Sequence, residues 1–357
     1  MPELPARRIF LIAAAFLVVA LTGCASIGPK SVVADRFDYS ESIADSWKRQ
    51  TLLNIVKMRY ADLPVFVDVS SIVAGYSLET DLNAGVNLTF HNGKANTGNF
   101  SGSSKYTDRP TITYMPMTGE KFLRGLITPI DPKTIFSMLQ SGYAADFILG
   151  MTVDSLNGVR NRSAAAGLPR EADPEFQRAL VLLHDVQAAG DLGMRVEDDK
   201  TRGQTAVLFF RRDDISPDIA AKMAEIRTLL KLTGDEPKFS LIYSPVRAPD
   251  NQLAVNSRSM LQIMMAFGSY IDVPAEHVAD HSALPGVGVT DESGVHILSG
   301  KEPPASAYAS VRYRGYWFWI DEGDLRSKRA LSAVMFFFTL IDTGNVERAP
   351  VITIPAQ

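Results

Sequence analysis

The chain has 357 residues, 46% of them hydrophobic and 21% charged, with a formal net charge of −4. That composition holds enough apolar material for one or two packed cores and excludes a disordered or collagen-like chain. Basic residues are scattered, with short groups at Arg211 and Arg212 and at Arg326, Lys328 and Arg329, so no stripe follows a phosphate backbone and no nucleic-acid partner is expected.

The first 24 residues come in three parts. Arg7 and Arg8 form a short basic region, residues 9–20 (IFLIAAAFLVVA) an apolar run, and Leu21-Thr22-Gly23-Cys24 a closing tetrapeptide. The run is shorter than the roughly 20 residues that a stable membrane-spanning helix needs, so it reads as a signal sequence, residues 1–23. LTGC resembles the lipobox of bacterial lipoproteins, and Cys24 is the chain's only cysteine. The resemblance covers residues 1–25 alone and says nothing of the body's family. It implies cleavage before Cys24, a diacylglyceryl thioether on its sulfur and an acyl chain on its new amino terminus. At roughly 0.8 kcal/mol per buried methylene, two or three such chains hold a protein to a bilayer almost permanently. Ala25 stands where many such proteins retained in the inner membrane carry Asp. The resemblance therefore implies the periplasmic face of the outer membrane, with the inner membrane as the alternative. Beyond these acyl groups no cofactor is expected.

Along the mature chain, residues 24–37 read as a lipidated tether. The spacing of Ile43, Trp47, Leu53, Val56 and Tyr60 predicts a helix over 40–60. Strand signals follow at 65–69, 76–78 and 85–90. Residues 91–106 (HNGKANTGNFSGSSKY) are rich in Gly, Asn and Ser and read as a long hairpin loop before a strand at 111–114. Asp131-Pro132 starts a helix that Gly142 stops, and Asp173-Pro174 starts another that ends at Gly190. The run between them at 157–169 reads as a linker, which divides the body into 38–165 and 166–357. In the second part the order strand, strand, helix, strand is expected twice, at 194–243 and 294–354. Between the copies, Asn256 or Ser257 caps a helix over 260–270. The fold class is α+β with mixed or antiparallel sheets and packed helices. The apolar helix expected after Asp324 is too short for a second membrane span.

The chemistry-bearing segments are few. His277 and His281, four apart with Asp280 beside the second, resemble the inverted zinc-peptidase motif HxxEH, but Asp stands where Glu is needed. They are weak candidates for a metal site or for an anchored hydrolase, set against solvated loop residues. No GxSxG elbow, second cysteine or phosphate loop is present. The aromatic run at 313–319 (YRGYWFW), read as one strand, alternates Arg312, Arg314, Tyr316 and Phe318 on one face with Val311, Tyr313, Trp317 and Trp319 on the other. It is either a central core strand or a partner or glycan surface. The sequence therefore points to a noncatalytic lipoprotein that binds or assembles an envelope component, with catalysis left open. The alternatives are an anchored periplasmic hydrolase and a ligand- or peptidoglycan-binding lipoprotein.

Overall fold

The computed structural model describes residues 27–73, 75–87, 97–163, 170–199, 203–211, 215–233, 238–249, 251–286 and 295–339. Cys24, the signal segment and the strand expected near 351–354 lie outside these residues. The chain divides into two compact units, Met1–Lys48 and Arg49–Gln357. Helix α1 (Ile27–Arg59) belongs to both, so helix already occupies most of the expected tether. Pro29 does not prevent this, because a first-turn N–H has no intrahelical partner to lose.

Within the second unit, α1 buries Leu52, Asn54, Ile55 and Val56, while Leu53 is only half-buried. The chain then enters a long two-stranded ribbon. Strands β1 (Phe66–Val73) and β4 (Thr111–Met117) pair antiparallel with a bulge between Val69 and Ser71. Strands β2 (Tyr76–Asn87) and β3 (Thr97–Asp108) continue the pairing without a break over twelve residue pairs. The Arg109 N–H bonds the Gly75 carbonyl at 2.9 Å and joins the two stretches. The long loop expected over 91–106 is thus corrected: from Thr97 the small polar residues are strand, because alternation with Phe100 and Tyr106 outweighs their weak strand preference.

Helices α2 (Glu120–Ile127), α3 (Pro132–Gln140) and α4 (Ala145–Thr152) follow. Asp131 caps α3 as expected, its carboxylate accepting from the Lys133 N–H at 2.9 Å. A six-stranded sheet comes next, in the order β6-β5-β10-β9-β8-β7. Its strands are β5 (Val153–Leu156), β6 (Val159–Arg160), β7 (Leu192–Asp199), β8 (Gly203–Phe210), β9 (Lys238–Tyr243) and β10 (Gln252–Ser257). Only β9 and β10 pair parallel. The sheet draws strands from both sides of residue 165, so the boundary expected there does not divide the fold.

Helices α5 (Pro174–Ala188) and α6 (Pro217–Leu229) pack together, with the Arg178 guanidinium bidentate on Glu225 at 2.7 and 2.9 Å. The first expected strand, strand, helix, strand unit is therefore present as β7, β8, α6 and β9. Ser259, in a capping box with Gln262, starts α7 (Met260–Gly268). Asn256 and Ser257 do not cap it, because both belong to β10. The short helix α8 (Ala275–Ala279) leads to a three-stranded sheet, β11 (Leu298–Gly300), β13 (Tyr316–Ile320) and β12 (Ala309–Tyr313), and to α9 (Leu325–Thr339). No helix among the described residues is long and apolar enough to cross a membrane. The α+β class, with mixed and antiparallel sheets, is the observed one.

The ribbon is fixed to the body at its root. The Asn54 amide donates to the Val65 carbonyl at 2.8 Å and accepts from the Val65 N–H at 2.9 Å. Gln50 does the same to Val67, at 3.0 and 2.8 Å. Phe66 between them is 1% exposed and packs on Phe338 and Phe122, with ring centroids 4.5 and 5.8 Å away. Asn54→Leu keeps the branched shape, at a larger volume, and removes both hydrogen bonds of a side chain 1% exposed. We expect a loss of about 2 kcal/mol in urea unfolding, since two backbone groups lose their partner; an unchanged midpoint would show that the clamp carries no stability.

Candidate functional site

The densest cluster of titratable and aromatic side chains gathers where α1 ends. Tyr60, 4% exposed, places its hydroxyl 2.8 Å from Nδ1 of His277, itself 9% exposed on α8. The Arg314 guanidinium lies over the Tyr60 ring, 5.2 Å from its centroid, and pairs with Asp62 at 3.2 Å. The Tyr313 hydroxyl also donates to Asp62. Tyr313 and Phe318 meet the Tyr60 ring edge-on at 5.4 and 6.1 Å, and Tyr316 meets the His277 ring at 5.1 Å. At the rim, the Tyr316 phenol bonds Glu276 and holds that carboxyl below its ordinary range, while the phenol itself is raised. Lys301 sits over the Tyr316 ring at 5.5 Å and 3.8 Å from Glu276. Arg59 donates to the carbonyls of Leu284 and Pro285, and burial lowers its pKa.

Two expected sites thus share one place, though not in the expected form. The aromatic run is not one strand. Arg314 and Gly315, with φ of 45° and 86°, form a two-residue turn between β12 and β13. Tyr313 pairs with Tyr316, Val311 with Phe318, and Arg312 with Trp317. Cross-strand partners share a face, so Phe318 joins Val311 on the buried side at 0% exposure and is removed from the candidate partner surface. Arg312 is exposed on the opposite face, beside Trp317, while Arg314 and Tyr316 belong to the cluster.

The histidine pair is corrected too. Helix α8 ends at Ala279, and His281 has a left-handed φ of 61°, so His277 and His281 do not share a helical face. The Asp280 carboxylate accepts from the Ser282 N–H at 2.8 Å, and hydrogen bonds from Ser282 lower its pKa. Among the described residues no group of three or more His, Cys, Asp or Glu is gathered that could hold a metal ion.

Burial pushes the Tyr60 phenol up to about 12, with Arg314 acting against the shift. A phenol that keeps its proton so firmly is neither base nor nucleophile at neutral pH. The cluster's geometry is that of a latch joining the end of α1, the loop at Asp62, α8 and the β12–β13 turn.

A second feature lies apart from this latch. The ribbon exposes Val73, Ile112, Tyr114 and Met115 at 41%, 40%, 61% and 42%. Among the described residues β2 and β3 pair only with each other, so both outer edges carry unpaired backbone donors and acceptors. Sequence reasoning found β1, β4 and parts of β2 but read β3 as loop, although the period-two alternation from Tyr76 to Asn87 is legible.

No protein-family model, no curated protein and no solved structure matches the chain.

The latch is tested by titration. Because the folded phenol lies above its ordinary value near 10, the folded state holds a proton that the unfolded state releases. Stability should fall as pH rises from about 10 to about 12, and phenolate absorbance should show late-titrating tyrosines, Tyr316 among them, of which Tyr60→Phe removes one. An unchanged late step in that variant would refute the assignment.

Proposed function

We propose that the protein is a noncatalytic lipoprotein, anchored through acyl chains on Cys24 at the periplasmic face of the outer membrane, that serves as an assembly component of a cell-envelope complex. The observation carrying this reading is the ribbon: twelve consecutive residue pairs of β2 and β3 with neither edge covered among the described residues. An isolated two-stranded hairpin is marginal in water. Native proteins blunt such edges or use them for pairing with another chain. A ribbon rooted as rigidly as this one, and exposed beyond its root, gains most of its order from a partner. The latch supports the same reading, since it gathers aromatic and charged groups for packing and leaves no activated nucleophile.

The test is covalent crosslinking of the full-length protein in its native membranes, followed by mass spectrometry, compared with a variant whose residues 76–108 are replaced by a short Gly-Ser turn. Native protein should yield a stoichiometric crosslinked species, whether another envelope protein or further copies, that the shortened variant loses. The same species from both would overturn the reading. Metabolic labelling with a fatty-acid probe should mark the native chain and leave Cys24→Ala unlabelled.

A further inference from the structure

Over positions 77–87 and 97–107 the ribbon's two faces differ in chemistry, while the terminal pair of Tyr76 and Asp108 places one carboxylate on the even-numbered face. Successive strand residues alternate between faces. In the register observed, the even-numbered positions of β2 and β3 fall on one face, among them Leu78, Leu82, Ala84 and Val86, with Phe100 and Tyr106 across from them. The odd-numbered positions fall on the other, among them Glu79, Asp81, Asn83, Asn99, Ser103 and Lys105. Glu79 lies directly opposite Lys105. All three charged residues between positions 77 and 87 and between 97 and 107 are on this second face. The apolar face extends into the root: the bulge between Val69 and Ser71 shifts the parity, so that Val67, Val69 and Ile72, with Pro116, Tyr114 and Ile112 opposite, continue it. The other face there is mixed, with Val73 and Met115 beside Asp68, Ser71 and Thr113.

Neither a core strand nor a water-exposed hairpin requires this. A strand covered by protein on both sides reads as apolar on both, whereas an antiparallel pair covered on one side alternates as this one does, so length and free edges decide between a protein cover and lipid. Transmembrane β-strands do require it, with residues toward lipid apolar, residues toward the lumen polar, and the two alternating strictly. The length agrees. Twelve residues at about 3.4 Å each, tilted by about 40°, advance about 31 Å, close to the hydrocarbon thickness of a bilayer. The free edges then fix the stoichiometry. Backbone groups unpaired in lipid cost several kcal/mol each, so a two-stranded ribbon enters a bilayer only as part of a closed barrel, and this chain supplies two strands.

We propose, resting on the assembly reading above, that the ribbon inserts into a lipid bilayer and that copies of this chain pair edge to edge to form the wall of an oligomeric β-barrel. The even-numbered face meets lipid and the face with Glu79, Asp81 and Lys105 lines a water-filled lumen. Because the smallest membrane barrels have about eight strands, closure takes at least about four copies.

The experiment places single cysteines in the full chain at Leu78, Thr80, Leu82 and Ala84 and at Glu79, Asp81 and Asn83. Each is labelled with a polarity-sensitive fluorophore and the protein is added to vesicles of phosphatidylethanolamine and phosphatidylglycerol, with the unsubstituted chain measuring what Cys24 itself contributes. The expected result is a blue shift at the even positions only, release of an entrapped dye, and crosslinked ladders of the chain. Leu82→Asp should abolish dye release while the thermal midpoint of the body stays within error, because among the described residues β2 pairs only with β3. Water-like emission at all positions in vesicles overturns the insertion. If that result comes with retained ribbon-dependent crosslinks to an envelope protein, the assembly reading survives alone; if no ribbon-dependent crosslink forms either, both fall.

Discussion

Two side-chain amides on one turn of helix α1 decide where the ribbon leaves the body. Gln50 and Asn54 are four residues apart, a helical advance of about 6 Å, and Val65 and Val67 are two residues apart in extended chain, about 6.8 Å. The near match lets the helix present donor and acceptor pairs at the repeat of a neighbouring strand. Phe66 faces the other way, into Phe122 and Phe338, so the chain is gripped on both sides at the residue where the ribbon starts. Without that grip the root would be an ordinary loop, and an extended ribbon beyond it would have no defined direction.

Two buried polar side chains of the body are held by backbone partners on several elements at once. Asn157, 2% exposed, accepts from the Ala254 N–H at 2.9 Å and donates to the Leu230 carbonyl at 2.9 Å, tying the β5–β6 turn to β10 and to the end of α6. Arg258, 6% exposed, donates to the carbonyls of Met151 and Arg162 and lies 3.8 Å from Asp154. Burial lowers its pKa and the Asp154 carboxylate opposes that shift, so the guanidinium remains a charge held by fixed oxygens. Each of these groups would cost free energy if left unmade. Against that background, the two ribbon edges left unpaired among the described residues are an exception.

What was legible in the sequence was local. Asp131-Pro132, Asp173-Pro174 and Ser216-Pro217 mark helix starts because a fixed proline φ acts within one turn, with a side-chain cap at Asp131 and Ser216 and none at Asp173, and all three helices begin there. The β7–β8 hairpin showed through its alternation. The β12–β13 turn did not, since Arg314-Gly315 lacks the Asn-Gly signature and the unbroken aromatic run on both sides imitates one strand. The ribbon was lost to composition: Gly, Ser and Asn suggest a loop, whereas the informative quantity is which face they occupy. The contact between Tyr60 and His277 spans 217 residues, and no pattern along the chain can foretell it.

Latch and ribbon also differ in what they ask of the fold, and this makes them separable. Tyr60 and His277 are buried among elements of the body, so changing them alters packing and stability together. Among the described residues the β2–β3 stretch pairs with nothing but itself, so its hydrogen bonds are made outside the sheets of the body. The three charged residues of the ribbon between 77 and 87 and between 97 and 107 stand on one face, while Asp108 at its root stands on the other. If the ribbon inserts as proposed, that asymmetry is what an interface between lipid and water selects.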